Sequence, residues 1–232
     1  MSTLLMRFSA PLQSWGADSK FENRRETKRE PTKSGVVGLL AAALGRRRED
    51  PIDDLAALRF GVRIDQPGQL LQDYHIIWVK GKKDADVTTR HYLADAVFLV
   101  GLEGDGALLE LLDSALNEPV FPLYLGRRCC PPTGRISFGV LEKPLEESLR
   151  DAPWLAGRRR RDEYISPNNP IRLTTVTDDT DAGFARRRDH PVSFSQRHRR
   201  HEYRYLVDKP DAVTLKHLFE TEHDAFDELK DD

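Results

Sequence analysis

Residues 29–45 read R-E-P-T-K-S-G-V-V-G-L-L-A-A-A-L-G and predict a buried helix. Thr32 follows a proline and can accept a backbone N–H, so it is the expected N-cap. Valine, leucine, alanine and one glycine fill positions 36 to 44, which leaves almost no polar face. Gly45 then ends the helix, as a glycine at this position commonly does. We therefore expect this helix to lie between other elements of the fold.

The first turn of this helix is expected to face an anion. Lys33, Ser34 and Gly35 fall in that turn, where unpaired N–H groups and the helix dipole favour negative charge. Four further cations precede the helix: Arg24, Arg25, Lys28 and Arg29. The pattern G-x-x-x-x-G-K-[ST] is absent, so a nucleoside triphosphate is not the expected anion.

The length and composition indicate one core domain with a large insertion or a small appended subdomain. The chain has 232 residues, of which 39% are hydrophobic and 32% are charged. Its apolar runs are shorter than the roughly 20 residues that span a bilayer, and its first residues lack the pattern of a secretory signal. The adjacent Cys129 and Cys130 cannot form an ordinary structural disulfide. We therefore expect a cytoplasmic protein without disulfides or membrane contact.

The charges are distributed unevenly along the chain. The net charge is −2, but residues 220–232 contain seven acids and one lysine, so residues 1–219 carry a charge of +4. Arginine outnumbers lysine 26 to 10, and its planar fork suits phosphates and base edges. The arginines cluster at residues 46–48, 127–128, 158–161, 186–188 and 197–204. A single cluster is as often a solvated surface, but five together favour a nucleic-acid partner.

The order of predicted elements indicates an α+β protein with a ferredoxin-like, RNA-recognition-like sandwich. Strands are predicted at residues 4–8, 60–64, 96–102 and 136–141, and helices at 32–44, 51–58 and 108–116. Asp50 is the expected N-cap of helix 51–58, with Pro51 as its first residue. A further short helix or connection is predicted at residues 143–155. Short strands are predicted near the C-terminus, at residues 164–165, 171–176, 192–194 and 203–207.

The predicted domains follow from these elements. A palm is expected over residues 1–142, and it includes a hairpin at about 70–94 that carries mixed basic and aromatic residues. A β-rich, arginine-rich extension over 143–210 is expected to pack on the palm. An acidic tail, partly helical, is expected over 211–232.

Neither a metal nor a cofactor is expected. His198 and His201 have a spacing compatible with a metal pair, but no third ligand cluster is near and four arginines surround them. Cys129 and Cys130 lack the Cys-x-x-Cys spacing of a zinc site. We therefore interpret these histidines as exposed basic residues and these cysteines as packing residues.

The hairpin also leaves a catalytic hypothesis open. It carries histidine, lysine and tyrosine, which suffice for metal-free RNA cleavage by general acid–base chemistry. These residues are Tyr74, His75, Lys80, Lys82, Lys83, His91 and Tyr92. The same residues can equally stack and clamp a single strand, and we favour that interpretation. A third hypothesis is a protein-binding scaffold whose arginine loops contact acidic partners.

Four blocks of the sequence together resemble the CasD family, the fifth-family Cas subunits (RAMP superfamily) of type I-E CRISPR Cascade complexes. They are F-S-A-P-L-Q-S-W-G at 8–16, the helix stretch at 29–45, D-Y-H at 73–75 and Y-L-G-R-R-C-C-P at 124–131. The blocks occur in the family's order and cover about the first 140 residues, whereas residues 145–232 resemble the family only loosely.

This resemblance implies a ferredoxin-like palm with a β-hairpin thumb and a role in antiviral defence. The protein would cap one end of the complex by holding the 5′ handle of the CRISPR RNA (crRNA). Its thumb would contact the CasC backbone subunit and displace a guide nucleotide, and the large subunit CasA would dock nearby. Target DNA near the PAM end is a further candidate partner. Guide processing belongs to CasE in type I-E systems, which implies a non-catalytic subunit, although relatives in type I-C systems cleave RNA as endoribonucleases.

The resemblance and the residues together define the candidate site. Gln13 and Trp15, the latter in an exposed-looking loop, are expected to meet a base, and Gly126 is expected to admit the RNA backbone. The full set of candidate RNA-binding residues is Gln13, Trp15, Gly16, Arg24, Arg25, Arg29, Thr32, Lys33, Ser34, Gly35, Tyr124, Gly126, Arg127 and Arg128. The candidate thumb contacts are Tyr74, His75, Arg90, His91 and Tyr92.

Overall fold

The computed structural model of the protein describes residues 1–16, 23–78, 81, 85–158, 160–161, 171–178 and 185–213. Its strands are β1 (Ser2–Ser9), β2 (Leu12–Gln13), β3 (Trp15–Gly16), β4 (Arg24–Arg25), β5 (Thr27–Lys28), β6 (Arg59–Gln66), β7 (Gln69–Ile77), β8 (Asp86–Ala94), β9 (Val97–Gly104), β10 (Ser137–Leu141), β11 (Ile171–Asp178), β12 (Ala185–Ser193) and β13 (Arg200–Val213). Its helices are α1 (Lys33–Ala43), α2 (Asp53–Ala57), α3 (Gly106–Asn117) and α4 (Leu145–Asp151). Within these residues, no helix is both long and apolar enough to cross a membrane.

A seven-stranded antiparallel sheet forms the centre of the molecule, in the order β10-β1-β9-β6-β11-β13-β12. The central strand β9 is apolar along nearly its whole length and is buried on both faces, as its sequence predicts. The units β1-α1-β6 and β9-α3-β10 each run strand, helix, strand. The predicted α+β class is therefore confirmed, as are the strands expected at 4–8, 60–64, 96–102 and 136–141.

Three helices cover one face of this sheet. The apolar side chains of α1, α2 and α3 pack against Leu4, Met6 and Phe8 of β1 in the main hydrophobic core. Thr32 caps α1 by accepting the Gly35 N–H at 3.3 Å, which confirms the predicted N-cap. Gly45 follows the helix with a φ of +75°, as expected for the glycine that ends it.

The second predicted helix is shorter than expected. It spans Asp53–Ala57 with Ile52 at its N-cap, so the prediction of Asp50 as cap and Pro51 as first residue is wrong. The carboxylate of Asp50 instead accepts the N–H of Arg47 at 2.6 Å and closes a local turn. An aspartate side chain often bonds to nearby backbone in this way, in competition with helix capping.

The other face of the sheet carries α4 and a buried ion pair. Arg63 and Asp65 lie side by side on that face and are almost completely buried. Arg63 Nε and Nη2 donate to the two Asp65 oxygens at 2.7 and 2.8 Å. Arg63 Nη1 also donates to the carbonyl of Ala152 at 2.7 Å, and Asp65 accepts the N–H of Leu155 at 2.6 Å. The pair therefore attaches α4 and the segment after it to the sheet.

The expected hairpin is formed by β7 and β8. The two strands pair antiparallel from Gln69–Ala94 to Ile77–Asp86. Short strands hold the second arm near the body of the protein: β2 pairs with the end of β8, and β4 pairs with its middle. The turn residues Lys80, Lys82 and Lys83 of the catalytic hypothesis lie outside the described residues.

The C-terminal strands extend the central sheet. β11 pairs with β6 through Thr174–Ile64 to Thr177–Gly61, and β13 and β12 follow in order. The three strands thus continue the central sheet beyond β6. The strand predicted at residues 164–165 and the tail beyond residue 213 lie outside the described residues.

We expect Asp65→Ala to lower the free energy of unfolding by about 3–5 kcal/mol. The substitution leaves Arg63 buried without its carboxylate, and breaking a buried pair on one side carries a cost of this size. Chemical denaturation of the purified protein measures the effect. Asp54→Ala is the matched control because the Arg46–Asp54 pair is open to solvent, with 24% and 42% of the two side chains accessible. It should cost no more than about 1 kcal/mol, and equal losses would contradict the argument.

Candidate nucleic-acid interface

The first turn of α1 already holds an anion from within the protein. The Lys33 N–H donates to Asp189 Oδ2 at 3.0 Å, and its ammonium lies 2.9 Å from Asp178 Oδ2. The Lys33 side chain is only 5% exposed. The prediction that Lys33 presents its charge to an external anion is therefore wrong. The carboxylate that occupies this helix N-terminus comes from β12, late in the chain.

Arg204 completes this buried cluster of charges. Its guanidinium bonds both oxygens of Asp189, at 2.6 and 3.0 Å, and Asp178 Oδ1 at 2.6 Å. Burial opposes the charged form of Arg204, but the bonds and charges of the two carboxylates outweigh it and raise the pKa of the guanidinium. Lys33, Arg204, Asp178 and Asp189 together carry no net charge. We refer to these four residues as the buried charge cluster.

Gln13 and Trp15 are inside the protein. Both side chains are fully buried, and Trp15 stacks on Phe8 with ring centroids 5.4 Å apart. Trp15 Nε1 donates to Gln13 Oε1 at 3.2 Å, and Gln13 Nε2 donates to the Ala96 carbonyl at 2.7 Å. The prediction that Trp15 is exposed is wrong, and neither side chain is available to a base. Both serve to join the loop after β1 to the core.

Gly35 is needed for packing against this tryptophan. A Cβ at position 35 would lie 3.0 Å from Trp15 Cε3 and 3.1 Å from Thr32 Oγ1. Thr32 is buried and Ser34 is half-buried, so the first turn of α1 offers little surface. Thr32 and Lys33 thus make contacts within the chain, whereas the expected phosphate contact at the half-buried Ser34 and Gly35 stays a prediction. Gly16, in contrast, is exposed, with open space where a side chain would be.

Gly126 is approached closely by the chain itself. Its φ is +87°, and a Cβ there would lie 1.6 Å from the carbonyl oxygen of Ser14. The Ser14 N–H donates to the Leu125 carbonyl at 3.2 Å, so the loops at 10–16 and 124–131 are in contact. The close approach expected of this glycine is real, but the partner is protein backbone. Gly126 is also exposed to solvent, and the expected contact with the RNA backbone stays a prediction.

Arg127 connects its own loop, residues 124–131, to the hairpin and to β4. Its guanidinium lies over the ring of Tyr92 at 4.6 Å, and its Nη2 donates to the Arg25 carbonyl at 3.0 Å. Tyr92 Oη lies 3.6 Å from the sulfur of Cys129 in the same loop. The base of the hairpin, β4 and the loop 124–131 therefore meet at this one residue. We call this meeting point the junction.

Exposed arginines lie on the elements of the junction or near them in sequence. Arg24, Arg25, Arg29 and Arg128 are all exposed to solvent, and Tyr124 is half-buried beside them in sequence. Arg24 makes only a surface pair with Glu26 at 3.1 Å, which solvent and salt weaken. These guanidinium groups remain free to contact a polyanion, in contrast to Lys33.

Of the two cysteines in the loop, Cys130 packs in the main hydrophobic core, whereas Cys129 is exposed. Cys130 is buried, and burial together with the nearby Cys129 raises the pKa of its thiol to about 12. Cys130 is thus a neutral thiol at physiological pH. Among the described residues, no three His, Cys, Asp or Glu side chains come close enough together to hold a metal ion.

The hairpin separates its two histidines. His75 pairs across the strands with Thr88, whereas His91 pairs with Gln72, three positions further along. An offset of three residues puts the two side chains on opposite faces and about 10 Å apart along the strand. His75 is exposed and bonded to Asp73, whereas His91 is 8% exposed at the base. The two histidines therefore do not form an acid–base pair.

The exposed residues of the hairpin are mostly apolar, which the sequence analysis did not anticipate. Tyr74 is 59% exposed and Trp78 is 75% exposed, whereas Tyr92 is buried and Arg90 half-buried. Further large apolar side chains are exposed along both arms: Leu70, Leu71, Ile76, Ile77 and Val87. The signal was present in L-L-Q-D-Y-H-I-I-W, which places apolar residues on both faces of one strand.

Comparison with known proteins identifies the family. The family model described as CRISPR-associated protein (Cas_Cas5) matches residues 3–207. The chain belongs to this Cas5 family. The match reaches well past residue 145, so the C-terminal strands are part of the family's common structure and resemble it more closely than the motifs alone indicated.

Individual Cas5 relatives agree with this assignment. The chain is similar to the CRISPR system Cascade subunit CasD of Escherichia coli (strain K12), with 36% identity over 163 residues. That alignment covers 61% of this chain and 72% of the relative. A solved structure described as a Cas protein shares 42% identity with a TM-score of 0.71 and covers 91% of this chain and 95% of its own. A chain of a CRISPR RNA-guided surveillance complex shares 32% identity with a TM-score of 0.78, covering 91% of this chain and 90% of its own.

We expect Gly126→Ala to destabilise this Cas5 chain more than a change in local backbone preference explains. The new methyl group meets the Ser14 carbonyl, so the loop 124–131 must move away from the loop 10–16. Thermal and chemical denaturation measure the loss. Gly134→Ala is the matched control, since Gly134 also has a positive φ of +71° but no atom near the added carbon. The control should cost about 1–2 kcal/mol, and an equal loss in both variants would refute the contact.

Proposed function

We propose that this Cas5 chain is an RNA-binding subunit of a Cascade-type CRISPR surveillance complex in antiviral defence. In that role it holds the 5′ handle of the crRNA and caps one end of the assembly. The observation that supports this most directly is the set of exposed arginines around the junction. The 36% identity to a Cascade subunit CasD adds the biological context.

The proposal assigns the strands β10-β1-β9-β6 with α1 and α3 to a ferredoxin-like palm. The two strand–helix–strand units and their antiparallel neighbours have the arrangement that a split βαβ fold requires. The hairpin β7–β8 is then the thumb. Under this assignment the junction lies where the thumb leaves the palm, beside the N-terminal end of α1.

The RNA strand is held by charge and by exposed backbone in this proposal. Arg24, Arg25, Arg29 and Arg128 contact phosphates, and these contacts set the position of the strand without reading its sequence. The exposed backbone of Gly16 lies at the end of the loop 10–16, which contacts the loop 124–131 of the junction. Arg127 acts indirectly, because its stack on Tyr92 and its bond to the Arg25 carbonyl fix the loop that carries Arg128.

The hairpin contacts neighbouring protein in this proposal. Its exposed leucines, isoleucines and tryptophan suit a hydrophobic interface, where buried tryptophan and tyrosine often dominate the binding energy. The backbone subunit CasC is the proposed partner, and the large subunit CasA and target DNA near the PAM end are proposed neighbours of the same end.

A catalytic role receives no support from the hairpin geometry. Cleavage by general acid–base chemistry needs two groups within reach of one phosphate, and His75 and His91 lie on opposite faces. We therefore propose a non-enzymatic subunit. Incubation of the purified protein with labelled repeat RNA in EDTA tests this, and cleavage that His75→Ala or His91→Ala abolishes would overturn it.

We expect the double variant Arg24→Ala, Arg128→Ala to weaken binding of RNA that carries the 5′ handle. Each lost phosphate contact should reduce the slope of log affinity against log salt by about 0.7. Fluorescence anisotropy of labelled handle RNA at several salt concentrations measures both effects. Arg150→Ala, which removes an exposed arginine from α4 on the opposite face of the sheet, is the control and should keep the slope. A slope unchanged in the double variant would refute the phosphate contacts.

We expect Trp78→Ala to impair assembly with the backbone subunit while leaving the isolated protein folded. Its side chain is 75% exposed, so the free energy of unfolding should change by about 0.5 kcal/mol or less. Loss of a central interface tryptophan typically weakens association by about 2 kcal/mol or more. Co-purification with coexpressed complex subunits measures assembly. Leu111→Ala, at a 53% exposed position on α3, should leave assembly intact, and normal assembly of the Trp78 variant would contradict the docking role.

A further inference from the structure

Two tyrosines are exposed side by side on β13, away from the junction. Tyr203 is 57% exposed and Tyr205 is 44% exposed, and Arg204 between them is buried. Successive residues of a strand point to opposite faces, so the two rings share one face of the sheet. Arg204 points toward α1, where it joins the buried charge cluster, and the tyrosines therefore lie on the face opposite α1.

The position of these rings is fixed by the fold. Both tyrosines lie in residues 200–206, the part of β13 that pairs with β12, whereas β11 pairs with residues 206–213. The three bonds from Arg204 to Asp178 and Asp189 prevent the strand from slipping by one residue, which would turn the tyrosines inward. The Cα atoms of the two tyrosines are thus about 6.6 Å apart along the strand, and both side chains stand on one face.

Arginines adjoin the two rings. The guanidinium of Arg186 lies over the Tyr203 ring at 4.9 Å, and Arg186 is the cross-strand partner of Tyr205. Arg188 follows at an irregularity of β12 and is also exposed. Three more arginines are exposed in the connection before β13 and at its first residue: Arg197, Arg199 and Arg200. Among the described residues of β13, the exposed acids are Glu202, which lies 3.6 Å from Arg200, and Asp208. The surface around the rings is therefore clearly cationic.

We propose that this face of β12 and β13 binds single-stranded nucleic acid. Two successive unstacked bases stack on Tyr203 and Tyr205, and Arg186 and Arg188 contact the flanking phosphates. Aromatic rings stack any base, and guanidinium groups supply the attraction to the backbone. Surfaces that bind another protein are also rich in tyrosine and arginine, but the excess of exposed cations here suits a polyanion better.

This surface is separate from the proposed handle-binding junction. The loop 124–131 joins the core on the α1 side through Leu125 and Cys130, whereas the tyrosine pair lies on the other side of the sheet. The strand bound here is thus a second segment of nucleic acid, either RNA or DNA. The inference does not depend on the proposed handle binding, and each can fail alone.

Fluorescence anisotropy of the full chain with labelled oligouridine and oligodeoxythymidine of equal length tests the proposal. The pair Tyr203→Ala, Tyr205→Ala should lower the affinity at least about fivefold for each ring lost. The pair Tyr203→Phe, Tyr205→Phe keeps the stacking rings and should retain the affinity. Phe138→Ala removes an exposed aromatic ring from the opposite edge of the sheet and should have no effect. The strand that binds more tightly identifies the sugar.

Photocrosslinking locates the contact on the unmodified chain. A strand that carries 5-iodouridine should crosslink to Tyr203 or Tyr205, as mass spectrometry of the digested adduct shows. Unchanged affinity in the alanine pair, or crosslinks elsewhere only, would overturn the proposal. Loss of a protein partner from the alanine pair with unchanged oligonucleotide affinity would assign the face to protein. Should the alanine pair unfold, the crosslinked position decides.

Discussion

The structure depends on the buried charge cluster between its first helix and its last strands. Lys33 and Arg204 are matched by Asp178 and Asp189, and the Phe60 N–H also donates to Asp178 at 3.1 Å. Removing one partner from such a cluster leaves an uncompensated buried charge, which is strongly unfavourable. The N-terminal end of α1 can therefore be buried only when β6, β11, β12 and β13 are already joined in one sheet. This constraint makes the C-terminal strands an integral part of the fold.

The same constraint decides which arginines face solvent. On β12, Arg187 turns inward to an ion pair with Glu30, whereas its neighbours Arg186 and Arg188 are exposed. On β13, Arg204 turns inward and leaves Tyr203 and Tyr205 outside. A cluster of arginines in sequence thus divides between structural and exposed residues by strand alternation. The charge available to nucleic acid lies in the exposed half, at the junction and on the outer face of β13.

Local features of the fold could be predicted from the sequence, and long-range partners could not. The roles of Thr32 and Gly45 depend on bonds within a few residues, so the helix and both of its ends were predictable. Lys33 was misassigned because its carboxylate partners are 145 and 156 residues away in the chain. Trp15 was misassigned for the same reason, since the glycine that makes room for its ring is on α1. A predicted site residue was wrong where its side chain contacts a distant residue of the same chain and not the external ligand that we expected.

The hairpin carries a run of large apolar side chains that contacts within the described residues do not bury. A two-stranded ribbon is marginally stable in water, and this one is held near its base by β2, β4 and the buried Tyr92. Along β7, Leu70 and Ile76 expose apolar surface on one face of the ribbon, and Leu71 and Ile77 expose it on the other. Among the described residues the core is filled by large side chains such as Phe8, Phe60 and Phe98, so a general looseness of the fold does not account for this exposure. In the proposed function another molecule buries these apolar arms, and Arg127 at their base, next to Arg128 in the chain, contacts both Tyr92 of the hairpin and the Arg25 carbonyl.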